Sequence, residues 1–149
     1  MNRIIARTYL PIRNKRFYNP TSLQKVSTPD HKIKNTSRHY LDIQALADSL
    51  KHKSSWKKGE LNSMVLIKNE TRKELLIVLH SDTKIKSFQR DQSITLNVVE
   101  GKIKLKVNNI YIILSSDQYY SLSENVKYSI TTLEETTLLM TIFNTQIPN

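Results

Sequence analysis

The chain has 149 residues, 38% hydrophobic and 24% charged, which is enough for one compact domain and short for two separate cores. It holds no Cys, which excludes disulfide scaffolds, thiolate metal sites and Cys nucleophiles, and fits a reducing compartment, so a cytoplasmic location is expected. No apolar run reaches eighteen residues, so a membrane-spanning helix is excluded, and two Gly with four Pro exclude collagen-like and low-complexity chains.

The net charge of +10 is unevenly spread. Residues 1–60 carry 13 Lys and Arg against four acids, whereas residues 61–149 are nearly balanced. Within residues 1–38, nine basic side chains stand against Asp30 alone, with Pro11, Pro20 and Pro29 interrupting any long helix. The apolar residues there are too few and too irregularly spaced for a core, so this segment is read as an arm and residues 39–149 as the folded domain. Three roles for the arm stay open: a flexible basic leader, a nucleic-acid or anionic-surface arm with interleaved Tyr and Phe, or an organellar transit peptide.

A short helix follows. From Asp42 to about Lys51 the apolar residues Ile43, Leu46, Ala47 and Leu50 recur at three and four, and Asp42 stands where an N-cap or first-turn acid is favourable. Lys51 to Lys58 then read as a polar, basic connection closed by Gly59, with Trp56, the only indole in the chain, read either as a core cover packed beneath it or as a ligand-facing platform.

Beyond Gly59 the period changes to two. Runs at 64–68, 74–80, 84–88, 93–99, 102–107, 110–114, 118–122, 126–131 and 136–143 each read as strands. The plainest alternation is Lys102-Ile103-Lys104-Leu105-Lys106-Val107, whose Lys residues must face water while the others face a core. Turn residues separate the runs at Asn69-Glu70, Ser81-Asp82, Glu100-Gly101, Asn108-Asn109, Ser115-Ser116-Asp117 and Glu124-Asn125. That spacing, with no strand-helix-strand pattern, predicts an all-β antiparallel sandwich or barrel.

Several of these segments together resemble the small single-domain cupins: Leu41-Asp42-Ile43 through Leu50, Trp56-Lys57-Lys58-Gly59, Ile94 through Ile103, and Thr132 through Thr136. The resemblance spans about residues 41–143. It implies a double-stranded β-helix jelly roll, a homodimer, and a tight hairpin at Glu100-Gly101. Metal-binding cupins carry two His and a Glu ahead of that Gly, as H-x-H-x3,4-E-x6-G, and a further His on a later strand. Here the Glu position holds Ile94, the early His positions fall among Ser87, Phe88, Gln89 and Arg90, and the late His position holds Tyr128, preceded by Lys127. None is an imidazole or a carboxylate, so no metal and no cofactor is expected.

The residues agree without the family. A site for iron, manganese or zinc needs three or four converging imidazoles or carboxylates, and of His31, His39, His52 and His80 just one lies in the strand region. If Ile94 points inward, so do Leu96 and Val98, and Tyr128 takes Val126 and Ile130 with it, so the barrel interior is expected to be apolar. His80, on the face of Leu76 and Val78, is read either as a structural His satisfied by a backbone carbonyl or as a site residue. The candidate ligand-binding residues are therefore His80, Phe88, Gln89, Arg90 and Tyr128, with Arg90 attracting an anion and Tyr128 donating a hydrogen bond; the alternative reading of Gln89 and Arg90 is as solvated loop residues.

No G-x-S-x-G elbow, P-loop, G-x-G-x-x-G or H-E-x-x-H is present, and Glu134-Glu135 reads as a surface turn. The leading expectation is a metal-free cupin-like binding or structural module for a small apolar or anionic ligand. The alternatives are a cupin-type epimerase- or isomerase-like enzyme using Tyr128 with His80 as acid and base, and a nucleic-acid binder acting through the arm.

Overall fold

The computed structural model describes residues 40–86 and 91–144; the basic arm lies outside them. Among the described residues the chain forms two helices, α1 (Ile43–Lys51) and α2 (Ser54–Lys57), followed by nine strands. These are β1 (Asn62–Lys68), β2 (Arg72–Leu79), β3 (Lys84–Lys86), β4 (Gln92–Glu100), β5 (Lys102–Val107), β6 (Ile110–Ser115), β7 (Gln118–Leu122), β8 (Tyr128–Thr132) and β9 (Thr136–Asn144). Among the described residues every run expected as a strand is one, with ends shifted by at most two residues, and the end of the run expected at 84–88 lies outside those residues. The connection expected after the first helix instead closes into the short helix α2.

The strands build two antiparallel sheets, ordered β1-β2-β9-β4-β7 and β3-β8-β5-β6, the antiparallel barrel that the turn spacing predicts and the jelly roll that the cupin resemblance implies. Leu75, Ile77 and Leu79 of β2, Leu96 and Val98 of β4, and Leu138 and Met140 of β9 face Ile103 and Leu105 of β5 and Ile130 of β8 across a dry interior. The expected inward phase of Ile94, Leu96 and Val98 holds, as does that of Val126, Tyr128 and Ile130.

Side chains of the opposite phase on β2 build a second, smaller core. Leu76 and Val78 are fully buried against Ala47 and Leu50 of α1, with Ile43, Leu46, Trp56, Met64, Leu66 and Leu139 around them. The amphipathic helix thus covers the outer face of the five-stranded sheet. Asp42 caps α1: its side chain accepts a hydrogen bond from the Ala45 amide at 3.0 Å. At the other end buried Asn62 donates to the Leu50 carbonyl at 2.9 Å while accepting from the Ser55 hydroxyl at 2.6 Å, tying α1, α2 and β1 together.

The turns follow the residues that tolerate a left-handed backbone. Asp82, Asn108, Asp117 and Asn125 all have φ between 53° and 66°, and Gly59 and Gly101 have φ of 83° and 96°. Gly101 has a second constraint: a Cβ there would collide with the Glu135 carbonyl and lie 2.8 Å from the Thr136 Cα. The hairpin between β4 and β5 therefore presses directly on the start of β9. Glu134 and Glu135 occupy a surface turn as expected, Glu135 pairing with Lys51 at 2.7 Å and Glu134 with Lys102 at 3.9 Å.

Two substitutions test these junctions. Gly101→Ala should destabilise the fold by roughly 2–4 kcal/mol, from backbone strain plus the steric clash, as read by chemical denaturation. Asn62→Ala should cost about 1–3 kcal/mol, because it removes the short bond to the Leu50 carbonyl, leaving that oxygen only the 3.4 Å bond from the Lys53 amide, and takes away the Ser55 hydroxyl's acceptor.

Candidate functional site at one end of the barrel

The strand registers sort the interior into layers. At one end, Lys73 of β2 lies opposite Ile142 of β9, Ile142 opposite Ile94 of β4, and Ile94 opposite Leu122 of β7. Across the barrel, the same end holds Tyr128 of β8 opposite Val107 of β5. Ile94 and Tyr128, the two described positions where the resemblance would put metal ligands, therefore face one interior end layer. Phe88, Gln89 and Arg90 lie outside the described residues.

Lys73 is the residue that sequence reasoning missed. It shares the inward phase of Leu75 and Ile77, is 8% exposed, and among the described residues its Nζ is buried without a hydrogen-bond partner. The interior is thus apolar through its body but carries one basic group at the Tyr128 end, which corrects the expectation of a wholly apolar barrel. Burial holds the Lys73 amine below its ordinary value of 10.5, and the positive charge of Lys68 pushes it further down.

A bulge creates that second effect. Val65 pairs with Leu75, but the register slips by one residue before Ile67 pairs with Glu74, and Lys68 then stands directly opposite Lys73. Leu66 is the extra residue and packs outward against the helix core. Like charges directly opposite on neighbouring strands are destabilising, and among the described residues no carboxylate forms an ion pair with either lysine. The arrangement is a cationic pair with an apolar floor.

His80 and Tyr128 are not brought together. The His80 ring stacks on Trp56 with centroids 3.6 Å apart and planes 18° from parallel, and its Nε2 lies 3.1 Å from the Trp56 carbonyl oxygen. Both rings lie on the helix-covered outer side, so Trp56 and His80 cover the smaller core. The His80 carbonyl accepts from the Thr132 hydroxyl at 2.6 Å, which places His80 level with the far end of β8. Tyr128 is four residues away along that strand, about 13 Å at the usual rise, and points into the barrel interior, whereas the His80 ring stacks on Trp56 outside the five-stranded sheet. An acid and base pair made of these two side chains has no common substrate position.

The donor set does not suit a metal. Ile94 and Tyr128 are the wrong residue types, Ser87 to Arg90 include neither imidazole nor carboxylate, and no three His, Asp or Glu converge among the described residues. Among those residues, too, no helix is long and apolar enough to cross a membrane.

Comparison with known proteins sharpens the fold. No family model matches the sequence, and no curated protein matches it. Solved structures do. A cupin superfamily protein from Desulfitobacterium hafniense superposes with a TM-score of 0.59 at 11% identity, covering 73% of this chain and 93% of that one. The cupin domain of Schizosaccharomyces pombe Cnp3 gives 0.53 at 17% identity, over 60% of this chain and 75% of that one. KdgF from Halomonas sp. gives 0.53 at 11% identity, over 59% and 81%. The layered interior, the two-sheet order and these similarities agree: this chain has the cupin fold.

Proposed function

We propose that the chain is a metal-independent cupin-fold binding module that takes a small organic anion at the Tyr128 end of the barrel. The observation that carries this reading is the buried Lys73 amine, set opposite Lys68 and lacking a hydrogen-bond partner among the described residues. A buried amine without a partner costs stability, and an anion would supply the missing acceptor and relieve the Lys68–Lys73 repulsion. Ile142 beside it, with Ile94, Leu122 and Val107 in the same end layer, favours an anion with an apolar body, such as a short-chain carboxylate, over a fully hydrated ion. Tyr128 contributes a phenol to the same end layer. The separation of His80 from Tyr128 removes the acid and base pair on which an epimerase-like reading depends.

Lys73→Met tests the proposal in two ways. In the folded wild type Lys73 loses its proton below 10.5, so over that interval the unfolded chain binds more protons and stability rises with pH. The Met variant should lose this rise and be at least as stable as wild type at neutral pH, as measured by denaturation across pH. Hexanoate should raise the melting temperature of wild type, by the equivalent of about 2.7 kcal/mol at a hundredfold excess over Kd, and should leave the Met variant unmoved. A wild type indifferent to hexanoate, acetate and inorganic phosphate, or a Met variant that responds equally, would sink the reading.

A further inference from the structure

The four strands of the smaller sheet contain five lysines and no carboxylate. All five lysines lie on the outer face, because Ile85, Ile103, Leu105 and Ile130 take the inward phase. The registers arrange four of them in a grid. Lys84 pairs with Thr131, which pairs with Lys104; one row along, Lys86 pairs with Ser129, which pairs with Lys106. The rows are about 7 Å apart and the lysines within a row about 10 Å apart, from strand geometry, with a hydroxyl between each pair.

The next strand completes the surface. Tyr111 pairs with Lys106 and Ile113 with Lys104, and these two side chains are 60% and 50% exposed. The Lys104 and Lys106 ammonium groups lie 5.7 and 5.5 Å from the Tyr111 ring centroid, so the ring holds both cations at the sheet surface. At the end of the Lys86–Ser129–Lys106 row opens a depression of about 240 Å³, whose lining adds Asn108, Lys127 and Tyr128. Among the described residues, Lys84, Lys104 and Lys106 form no ion pair, while the acids of the adjoining turns, Glu134 and Glu135, are already paired with Lys102 and Lys51.

From this placement we infer that the outer face of the four-stranded sheet binds single-stranded nucleic acid. Regularly spaced cations with intervening hydroxyls suit a chain of phosphates, and an exposed Tyr on a flat sheet offers a base a stacking surface. A second copy of this face is a poor occupant, since it would set lysine against lysine with no carboxylate to answer. The nine basic residues of the arm lie outside the described residues and are not part of the grid. This surface meets the barrel end at Tyr128, which lines the depression, but Lys73 has no part in it.

The test is fluorescence anisotropy of a labelled twelve-nucleotide oligouridylate with the full-length chain, titrated over a range of salt. Lys104→Gln combined with Lys106→Gln should weaken binding at least tenfold at 100 mM salt and lower the slope of log K against log salt by about 1.4, near 0.7 for each phosphate no longer neutralised. Lys104→Arg with Lys106→Arg should restore binding, which separates charge from any loss of fold. Tyr111→Ala should weaken binding severalfold with the slope unchanged. The tenfold loss should persist when Arg3, Arg7, Arg13 and Arg16 are all changed to Gln, and Lys73→Met should leave oligonucleotide binding untouched. Unchanged affinity in the double Gln variant, or an effect that vanishes in the background lacking those four arginines, would overturn the inference. So would binding of phosphatidylserine vesicles through these lysines without binding of the oligonucleotide, since the partner would then be an anionic membrane.

Discussion

Five consecutive residues of β2, Leu75 to Leu79, have no exposed surface. A strand can bury both faces only if something covers each, and here the barrel interior takes Leu75, Ile77 and Leu79 while α1 takes Leu76 and Val78. At roughly 2 kcal/mol for each large apolar side chain removed from water, this outer packing is a major term for a helix of nine residues that would be marginal in isolation. The strand in turn fixes its neighbours. β1 and β9 pair along both its edges, β4 pairs with β9, and β7 with β4, so the whole five-stranded sheet is registered from β2 outward.

The same two-faced burial explains what can be read from the sequence. Where one face is solvated, as in Lys102 to Val107, period two gives both the strand and its phase, and the structure agrees residue by residue. The turn residues carry equal information, because Asn, Asp and Gly are the side chains that accept positive φ, and they stand at each such turn. In Leu75 to Leu79 there is no alternation, so the strand is evident but its phase is not. That is why Lys73 does not stand out in the sequence: only the knowledge that Leu75 and Ile77 point inward turns a lysine at the start of a strand into an interior group. Alternation puts His80 on the correct face, with Leu76 and Val78, but that face proves to be the helix side. Its partner there, Trp56, sits on α2, a single helical turn whose four residues, Ser-Ser-Trp-Lys, carry no strong periodic signal.

The bulge in β1 shows how a small irregularity shapes a site. With regular pairing continued from Val65 and Leu75, Lys68 would not face Lys73; the extra residue, Leu66, shifts the register and sets them opposite each other. The slip also places Leu66 in the helix core, so its apolar burial offsets part of the cost of a disrupted ladder. A like-charge pair is thereby supported by packing elsewhere, and this coupling is of the kind expected where a fold gives up local stability for a binding role.

The two basic regions differ in how they hold their charge, and the difference decides what each can bind. Lys73 has surrendered its hydration to an apolar layer, so a single anion brought to it meets a strong, short-range interaction little affected by bulk salt. The sheet-face lysines keep partial access to water, with their stems lying over the strands and their ammonium groups spread over a grid. Each of those cations attracts a phosphate weakly, and binding there grows only with the number of phosphates met at once, which favours a polymer and makes affinity steeply salt-dependent. One end of the barrel is therefore suited to a small monoanion with an apolar body, and the flat face beside it to an extended polyanion. Period two sends successive residues of each strand to opposite sides of the sheet, so the barrel wall separates Lys73 from the lysine grid, and Tyr128, which lines the depression, stands where the two regions meet.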